Sequence, residues 1–286
     1  MRAALRSLFL VLAFVLSAGA SAHVASARGA LASTAAHDAA LAIDLDAEEE
    51  GSIGRGFLRG RTATAAVWTP LTPGNVLGWW DHTDLAHIWA DTAGTTSTTN
   101  LGAVKRVDDK SGLSVHMTEA TNYPTRLDGQ ANGKTAGAYN GTTARLTTAA
   151  FTLPSPGTII IWCSGPSQTG YAVDSQNNTR GMYYTASAFN AYAGASLTSS
   201  VSMTTGVHMI AILFNGASSI INVDGTETSG TTGVNAANMG AILGAAGGNT
   251  TFFAGNIYES VWYGIDVGIG GRASARAYGQ TKYGAP

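Results

Sequence analysis

Cysteine is nearly absent from this chain of 286 residues. Because Cys163 stands alone, no intrachain disulfide can form, and the hydrophobic core has to hold the fold. Charged residues are also few, at 12% of the chain, with a formal net charge of −2. Nucleic-acid binding needs clustered Lys and Arg to replace the counterions along the phosphates. We therefore expect no nucleic-acid partner.

Catalytic motifs are missing as well. The chain has no GxSxG elbow, no HExxH helix and no P-loop. After the N-terminal arm, glutamate occurs only as Glu119, Glu227 and Glu259. A retaining glycosidase needs two carboxyl groups roughly 5–5.5 Å apart, whereas Ile257 and Val261 occupy the strand positions that alternate with Glu259. The sequence thus favours a protein that is not an enzyme, with a glycoside hydrolase built from separated Asp residues as the less favoured alternative.

The N-terminus contains a strongly apolar run. Arg2 and Arg6 precede the apolar residues 8–16, and small residues follow at 20–22. This pattern predicts a secretory signal peptide over residues 1–22, and with it a secreted or extracytoplasmic location. The alternative is an uncleaved membrane anchor, but a spanning helix needs about 20 apolar residues. We expect no membrane contact beyond this segment.

Residues 23–66 differ in composition from the rest of the chain. They are Ala-rich at first, then acidic in DLDAEEE, then rich in Gly and Arg in GRGFLRGR. Sustained strand alternation is missing, and the Ala-rich part favours helix. We interpret the segment as a linker or pro-segment that forms an irregular or partly helical arm.

Residues 67–286 are predicted to form one all-β domain, an antiparallel β-sandwich of the jelly-roll type. Apolar runs such as GTIIIWCSG, GVHMIAILFNG and TFFAGNIYESVWYG alternate with turn residues. In HMIAILF both faces are apolar, which predicts a central strand, and the dipeptides Asn215-Gly216 and Asp224-Gly225 predict tight turns. The final ASARAYGQTKYG predicts a short C-terminal helix that Gly284 closes.

The stretch GWWDHTDLAHIWA contains four possible metal ligands within seven positions, namely Asp81, His82, Asp84 and His87. On a strand, Trp80 and His82 share one face and Asp81 the other, so the four side chains cannot converge from the strand alone. We therefore expect Asp81 and Asp84 to accept hydrogen bonds from turn amides. Hard oxygen ligands suit calcium, which makes it the one cofactor that remains possible. Its candidate ligands are Asp81, Asp84, Asp108 and Asp109.

Several of these segments, taken in order, resemble LamG-like domains of the concanavalin A-like jelly-roll class, which occur in bacterial secreted proteins and phage virion proteins. The resemblance covers residues 77–284. Its motifs are GWWDHTDLAHIW, VKRVDDKSG, YPTRLDGQANGKTAGAYNGTTARL, GNIYESVWYG and the closing KYG. The sequence departs from the family pattern at Val107, where Trp is usual, and at Tyr139, where Phe is usual.

The resemblance implies a non-catalytic module that binds glycans or takes part in adhesion, with a glycan or a cell-surface or particle protein as its partner. The loop after the strand at Tyr171 offers an aromatic ring and polar side chains, which suit sugar hydroxyls, although an ordinary polar loop is the alternative. The candidate ligand-binding residues are Tyr171, Asp174, Asn177, Asn178 and Arg180. A virion structural protein, such as a tail-fibre or decoration protein that displays a jelly roll, is the alternative function.

Overall fold

The computed structural model describes residues 67–185, 187–238 and 240–286, in which two antiparallel sheets and one C-terminal helix are found. The predicted signal peptide (1–22) and linker (23–66) lie outside the described residues. Among the described residues, none of the helices has the length and apolar character needed to cross a bilayer. The all-β prediction is confirmed.

Seventeen strands occur in the described residues, and they are numbered here in chain order. They are β1 (Val76–Asp81), β2 (Ile88–Trp89), β3 (Arg106–Val107), β4 (Met117–Thr118), β5 (Thr125–Leu127), β6 (Ala136–Asn140), β7 (Leu146–Thr147), β8 (Gly157–Ser164), β9 (Gly170–Ser175), β10 (Gly181–Thr185), β11 (Ala188–Tyr192), β12 (Ser196–Ser202), β13 (Val207–Phe214), β14 (Ser219–Val223), β15 (Thr226–Gly230), β16 (Ala241–Leu243) and β17 (Ala254–Tyr263). Helix α1 spans Gly268–Tyr283, and short 3₁₀ turns span Ala131–Gly133 and Gly216–Ser218.

The strands form two sheets that stack on each other. Sheet 1 has the order β15-β14-β13-β8-β17-β6-β5, and β1 pairs with the C-terminal half of β17. Sheet 2 has the order β12-β11-β10-β9-β16-β7-β4-β3-β2. The main core lies between the sheets, and a second apolar cluster lies between sheet 1 and α1. The centre of sheet 1 is therefore buried on both faces.

The centre of sheet 1 explains this double burial. In β8, Ile159 and Ile161 point into the core between the sheets, whereas Ile160 and Trp162 point toward α1. The neighbouring β13 repeats the pattern, and every residue of both strands is buried. Strand β13 pairs with β8 and β14, so the prediction of a central strand from HMIAILF is confirmed.

A β-bulge in β17 changes which residues share a face. The pairing with β8 shifts between Ile257 and Glu259, so that Tyr258 and Glu259 both point toward α1. Ile257 and Trp262 still point into the core between the sheets. A strict two-residue alternation would have placed Glu259 on the same face as Ile257. The bulge instead places the carboxyl group of Glu259 beneath the helix.

Under α1, Glu259 becomes the acceptor for several donors. Its carboxylate accepts hydrogen bonds from Trp79 Nε1 at 2.5 Å, from Lys282 Nζ at 2.9 Å and from the Tyr283 hydroxyl. Lys282 also donates to Asp81 Oδ2 at 2.8 Å. Glu259 is fully buried. The helix is thus tied to β1 and β17 by a buried ionic network.

Burial and neighbouring charge act differently on the two carboxyl groups of this network. Burial raises the pKa of Glu259, and the nearby Asp81 charge raises it further. Burial also acts to raise the pKa of Asp81, but Lys282 and Lys110 outweigh it and leave that pKa below its usual value. Lys282 is therefore the cation that keeps two buried carboxyl groups compatible in one site.

The free edges of the two sheets meet along one side. Strand β12 is the last strand of sheet 2, and β15 is the last strand of sheet 1. The amide N of Ser200 in β12 donates to Thr228 Oγ1 in β15 at 3.0 Å, and the two hydroxyls lie 3.0 Å apart. Hydroxyl side chains thus connect the two edges where no backbone ladder does.

Gly279 allows α1 to lie close to sheet 1, which generates a first prediction. A Cβ at this position would lie 2.2 Å from Trp162 Nε1 in the core. Although Ala favours helix over Gly by about 1 kcal/mol, Gly279→Ala is expected to destabilise the fold by about 1–3 kcal/mol through overpacking. Gly270→Ala, in the same helix with nothing within 4 Å of the added Cβ, is the matched control and is expected to stabilise. Urea unfolding measures both, and a Gly279→Ala protein as stable as Gly270→Ala would contradict the packing.

The ionic network generates a second prediction. Lys282→Met leaves Glu259 and Asp81 buried without their shared cation, which is expected to cost about 3 kcal/mol at neutral pH. The pKa of each carboxyl group in the folded variant then rises, so the variant gains stability relative to the wild type as pH falls. The deficit should be larger at pH 8 than at pH 5 in urea unfolding. Lys134→Met, at an exposed position, is the control, and a deficit independent of pH would refute the network.

Candidate functional site

The outer face of sheet 2 carries a group of tyrosines and polar residues. Met182 and Phe189 point into the core, so their neighbours in β10 and β11 point outward. A register shift between β9 and β10 leaves Tyr171 and Asp174 both on the outward side. Two rows cross the strands in register, and their members are Tyr171, Tyr183, Asn190 and Thr198 in one row and Asp174, Gly181, Tyr192 and Ser196 in the other.

We define the tyrosine face as Tyr171, Tyr183, Asn190, Tyr192, Ser196 and Thr198. The rings of Tyr171 and Tyr183 are stacked with centroids 5.0 Å apart and an interplanar angle of 27°. Ser196 and Thr198 are exposed, and the three tyrosines are half-buried. Aromatic surface and hydroxyl groups therefore reach solvent side by side.

Hydrogen bonds fix the polar members of this face. The Tyr183 hydroxyl lies 2.8 Å from Ser196 Oγ. Thr198 Oγ1 donates to Asn190 Oδ1 at 2.6 Å, and Asn190 Nδ2 donates to Thr185 Oγ1 at 2.8 Å. Burial, followed by the nearby Asp174, raises the pKa of Tyr171 to about 12, so its hydroxyl stays protonated at neutral pH. Tyr171 thus remains a hydroxyl donor over the physiological pH range.

Asp174 lies beneath the margin of this face. Its Oδ1 accepts from the Ser175 amide at 2.8 Å and its Oδ2 from the Gly247 amide at 2.9 Å. The side chain is fully buried, so it joins the loop after β9 to the loop at Gly247 and does not face solvent. Burial, opposed by these amide hydrogen bonds, raises the pKa of Asp174 to about 7.

Arg180 is also buried, and its guanidinium group is bonded to backbone carbonyls. Nη1 donates to the carbonyls of Leu153 at 2.8 Å and Pro154 at 2.7 Å, and Nη2 donates to the carbonyl of Asn235 at 2.6 Å. With 3% of its surface exposed, Arg180 holds two chain segments against the end of β9 and β10. The sequence had suggested that it would face a ligand.

The two remaining residues of the predicted loop lie near the surface. Asn177 Nδ2 donates to Asn238 Oδ1 at 3.1 Å, and Thr179 Oγ1 donates to Asn177 Oδ1 at 2.7 Å. Asn178 is exposed and adopts a left-handed backbone with φ of 53°. Of the five predicted binding residues, Tyr171 belongs to the tyrosine face, and Asn178 is exposed in the loop after β9.

The predicted calcium ligands are engaged in hydrogen bonds with neighbouring residues. Asp81 Oδ1 accepts from the Thr83 amide at 2.9 Å, and Asp84 Oδ1 accepts from the Ala86 amide at 3.3 Å. These are the turn-amide bonds that the sequence predicted. Lys110 Nζ, which the sequence did not indicate, also donates to Asp84 Oδ2 at 2.7 Å.

Asp108 and Asp109 are engaged in the same way. Asp108 accepts from Arg106 Nε at 2.7 Å and from Trp89 Nε1 at 2.8 Å. Asp109 accepts from the Trp79 amide at 3.0 Å and from Ser111 Oγ at 2.7 Å. Within the part of the chain that the structure describes, no group of three or more His, Cys, Asp or Glu side chains is placed to hold a metal ion. Calcium binding by the four aspartates stays a prediction.

Of the six residues of the tyrosine face, sequence reasoning identified only Tyr171. Asn190 and Tyr192 alternate with buried residues in FNAY, and this period of two could have placed them on the outer face. Ser196 and Thr198 lie in SLTSSVS, whose Ser and Thr content hid the strand β12. These residues become visible as one site only when the register across four strands is known.

No protein-family model matches the chain, and no curated protein matches it. The LamG-like identification therefore stays a prediction. Solved structures do share the architecture. A Trypanosoma rangeli sialidase in complex with sialic acid matches 77% of this chain with 34% of its own, at 12% identity and a TM-score of 0.52.

Two binding domains also match. The binding domain of Paraclostridial Mosquitocidal Protein 1 has 12% identity and a TM-score of 0.53, over 72% of this chain and 53% of that one. The receptor-binding domain of botulinum neurotoxin type G has 10% identity and a TM-score of 0.50, over 72% and 51%. The chain spans about a third of the sialidase and about half of the other two. Because the identities are this low, the matches show only the β-sandwich fold that the chains share.

The raised pKa of Asp174 generates a third prediction. The carboxyl group titrates near 3.8 in the unfolded chain and near 7 in the folded one, so folding favours its protonated form. Its contribution to stability is present below the unfolded pKa and is lost as pH rises through about 7. The urea midpoint should fall between pH 6 and pH 8, and Asp174→Asn should reduce that fall. An equal fall in the two proteins would contradict this assignment.

Proposed function

We propose that this protein is a secreted, non-catalytic module that binds carbohydrate through the tyrosine face. The observation that carries the proposal is the stacked, half-buried pair Tyr171 and Tyr183, which lies beside exposed hydroxyl groups on a sheet surface. Sugar rings present C–H surfaces that pack on aromatic rings, and their hydroxyls bond to amide and hydroxyl groups. Both kinds of group are present on this one face.

The fold supports a binding role in general terms. Two of the similar structures are a binding domain and a receptor-binding domain, and a third is a sialidase complex. Sheet surfaces built from rigid strands hold side chains in fixed positions, which reduces the entropy lost when a ligand binds. The hydrogen bonds of Tyr183 to Ser196 and of Thr198 to Asn190 provide such preorganisation.

The surroundings of the buried acids support the non-catalytic part of the proposal. Glu259 and Asp81 share Lys282 beneath α1, where a polysaccharide chain has no access. Asp174 is enclosed by amide donors. A glycosidase needs an acid and a second carboxylate on either side of an exposed bond. None of these three acids meets that requirement.

The test is a glycan array probed with the purified protein, and it supplies a fourth prediction. We expect selective binding to a subset of glycans, with affinity reduced about tenfold by Tyr171→Ala and by Tyr183→Ala, which is ~1.4 kcal/mol. Tyr123→Ala, a half-buried tyrosine of the same domain that lies near Lys105, is the matched control and should bind as the wild type does.

Circular dichroism checks that each variant is folded. Absence of binding from a folded protein, or equal loss in the Tyr123→Ala control, would overturn the assignment to the tyrosine face. Repeating the array with a chelator tests the predicted calcium dependence. Loss of binding would support calcium binding by Asp81, Asp84, Asp108 and Asp109.

The N-terminus of the native protein distinguishes the alternative function, a virion structural protein, from a secreted binding module. A native N-terminus near His23 favours export, whereas an intact Met1 together with particle association favours a displayed virion domain. Glycan binding does not distinguish the two, because a displayed domain can also bind glycans through the same face.

A further inference from the structure

A pocket of about 560 Å³ lies on the opposite side of the sandwich, at the C-terminal end of α1. Its floor is formed by Asn256 and Tyr258 of β17 together with Ser164 of β8. The end of the helix and the loops before β6 and β13 form its walls. Pockets of about 300–1,000 Å³ are of the size that holds small ligands. This pocket shares no residue with the tyrosine face.

The floor offers hydrogen-bonding groups that the protein leaves partly unused. Ser164 Oγ and the Tyr258 hydroxyl lie 3.1 Å apart, so together they share one hydrogen bond and keep further donor and acceptor capacity. The half-buried amide of Asn256 makes no side-chain hydrogen bond to any described residue. An amide and two hydroxyls at one site can bond several neighbouring hydroxyl groups of a ligand.

The charge of the lining narrows the ligand class. The residues that line the pocket include no Asp, Glu, Lys, Arg or His. A phosphate or carboxylate ligand would lose its hydration there without a cation to compensate, and a cationic ligand would lack a carboxylate. A neutral, hydroxyl-rich ligand meets the lining without this cost.

Glycines keep the mouth of the pocket open. At Gly129, Gly165, Gly206 and Gly284 an added Cβ would have no atom within 4 Å. Three of them have positive φ, at which a side chain is strained, and Gly206 does not. A large side chain can therefore be placed at Gly206 without backbone strain, where it would extend over the opening.

We propose that this helix-end pocket is a second ligand site, which binds a neutral saccharide ring through Asn256, Ser164 and Tyr258. The lining itself indicates the ligand class, and the proposal does not rest on the function assigned to the tyrosine face. The protein then has binding surfaces on the two outer faces of its sandwich.

Saturation-transfer NMR on the full chain tests the site, with methyl glycosides of glucose, galactose and N-acetylglucosamine as probes and glucuronic acid as the charged comparison. We expect at least one neutral probe to bind and glucuronic acid to bind at least tenfold more weakly. Gly206→Trp should weaken the neutral probe at least tenfold by blocking the mouth, and Asn256→Ala about fivefold by removing one hydrogen-bonding group. Gly270→Trp, at an open glycine of α1, is the matched control.

The variants also separate this site from the tyrosine face. Binding that survives in Tyr183→Ala but is lost in Gly206→Trp supports the pocket whatever the glycan array shows. Loss in Tyr183→Ala with no change in Gly206→Trp or Asn256→Ala assigns the sugar to the tyrosine face and overturns the pocket. Absence of neutral-probe binding by the folded wild type, or preference for glucuronic acid, overturns it as well. Asn256→Ala provides the test if Gly206→Trp does not fold.

Discussion

The architecture depends on one constraint, which is that sheet 1 is apolar on both faces. Ile160 and Trp162 form part of an apolar surface on the side of sheet 1 that faces away from sheet 2, and a two-sheet sandwich alone would expose this surface to water. Helix α1 removes that surface from solvent, and close approach requires glycine at position 279. Apolar packing covers the area without fixing a register, because it has little directionality. The bonds of Lys282 to Asp81 and Glu259 supply that direction.

The same constraint decides where binding surfaces can form. At the centre of sheet 1, one face is covered by sheet 2 and the other by α1, and the helix-end pocket lies where that helix ends. Among the described residues, helix α1 packs on sheet 1 and not on the outer face of sheet 2, where the tyrosine face lies over β9 to β12. Both proposed sites are therefore places where the covering of a sheet stops.

The sequence predicted the elements that are runs of apolar residues. Strands β8, β13 and β17 were visible because each is a run of apolar residues, and the end of α1 was visible because Gly284 follows Tyr283 in a left-handed conformation. Strands β12 and β15 were not visible, since serine and threonine are as common in loops as in exposed edges. A run of apolar residues indicates a buried strand, whereas an exposed strand of Ser and Thr gives little signal.

The site was less predictable than the fold, because it depends on register and on local irregularity. The position of Tyr171 was inferred from its strand, but a bulge decides that Asp174 shares its side of the sheet. Arg180 looks like a surface residue in its polar loop, yet three backbone carbonyls converge on its guanidinium group. Likewise, the bulge at Glu259 reverses the face that alternation assigns. Such features arise from contacts between distant segments, which the local sequence does not contain.

The contact between β12 and β15 affects how readily the protein can aggregate through its sheet edges. An unprotected edge strand offers free amides and carbonyls to a neighbouring molecule, and this is a common route to aggregation. Here the amide of Ser200 is already bonded to Thr228, and the two edges are turned toward each other. Edge-to-edge pairing with a neighbouring molecule is therefore disfavoured at β12 and β15.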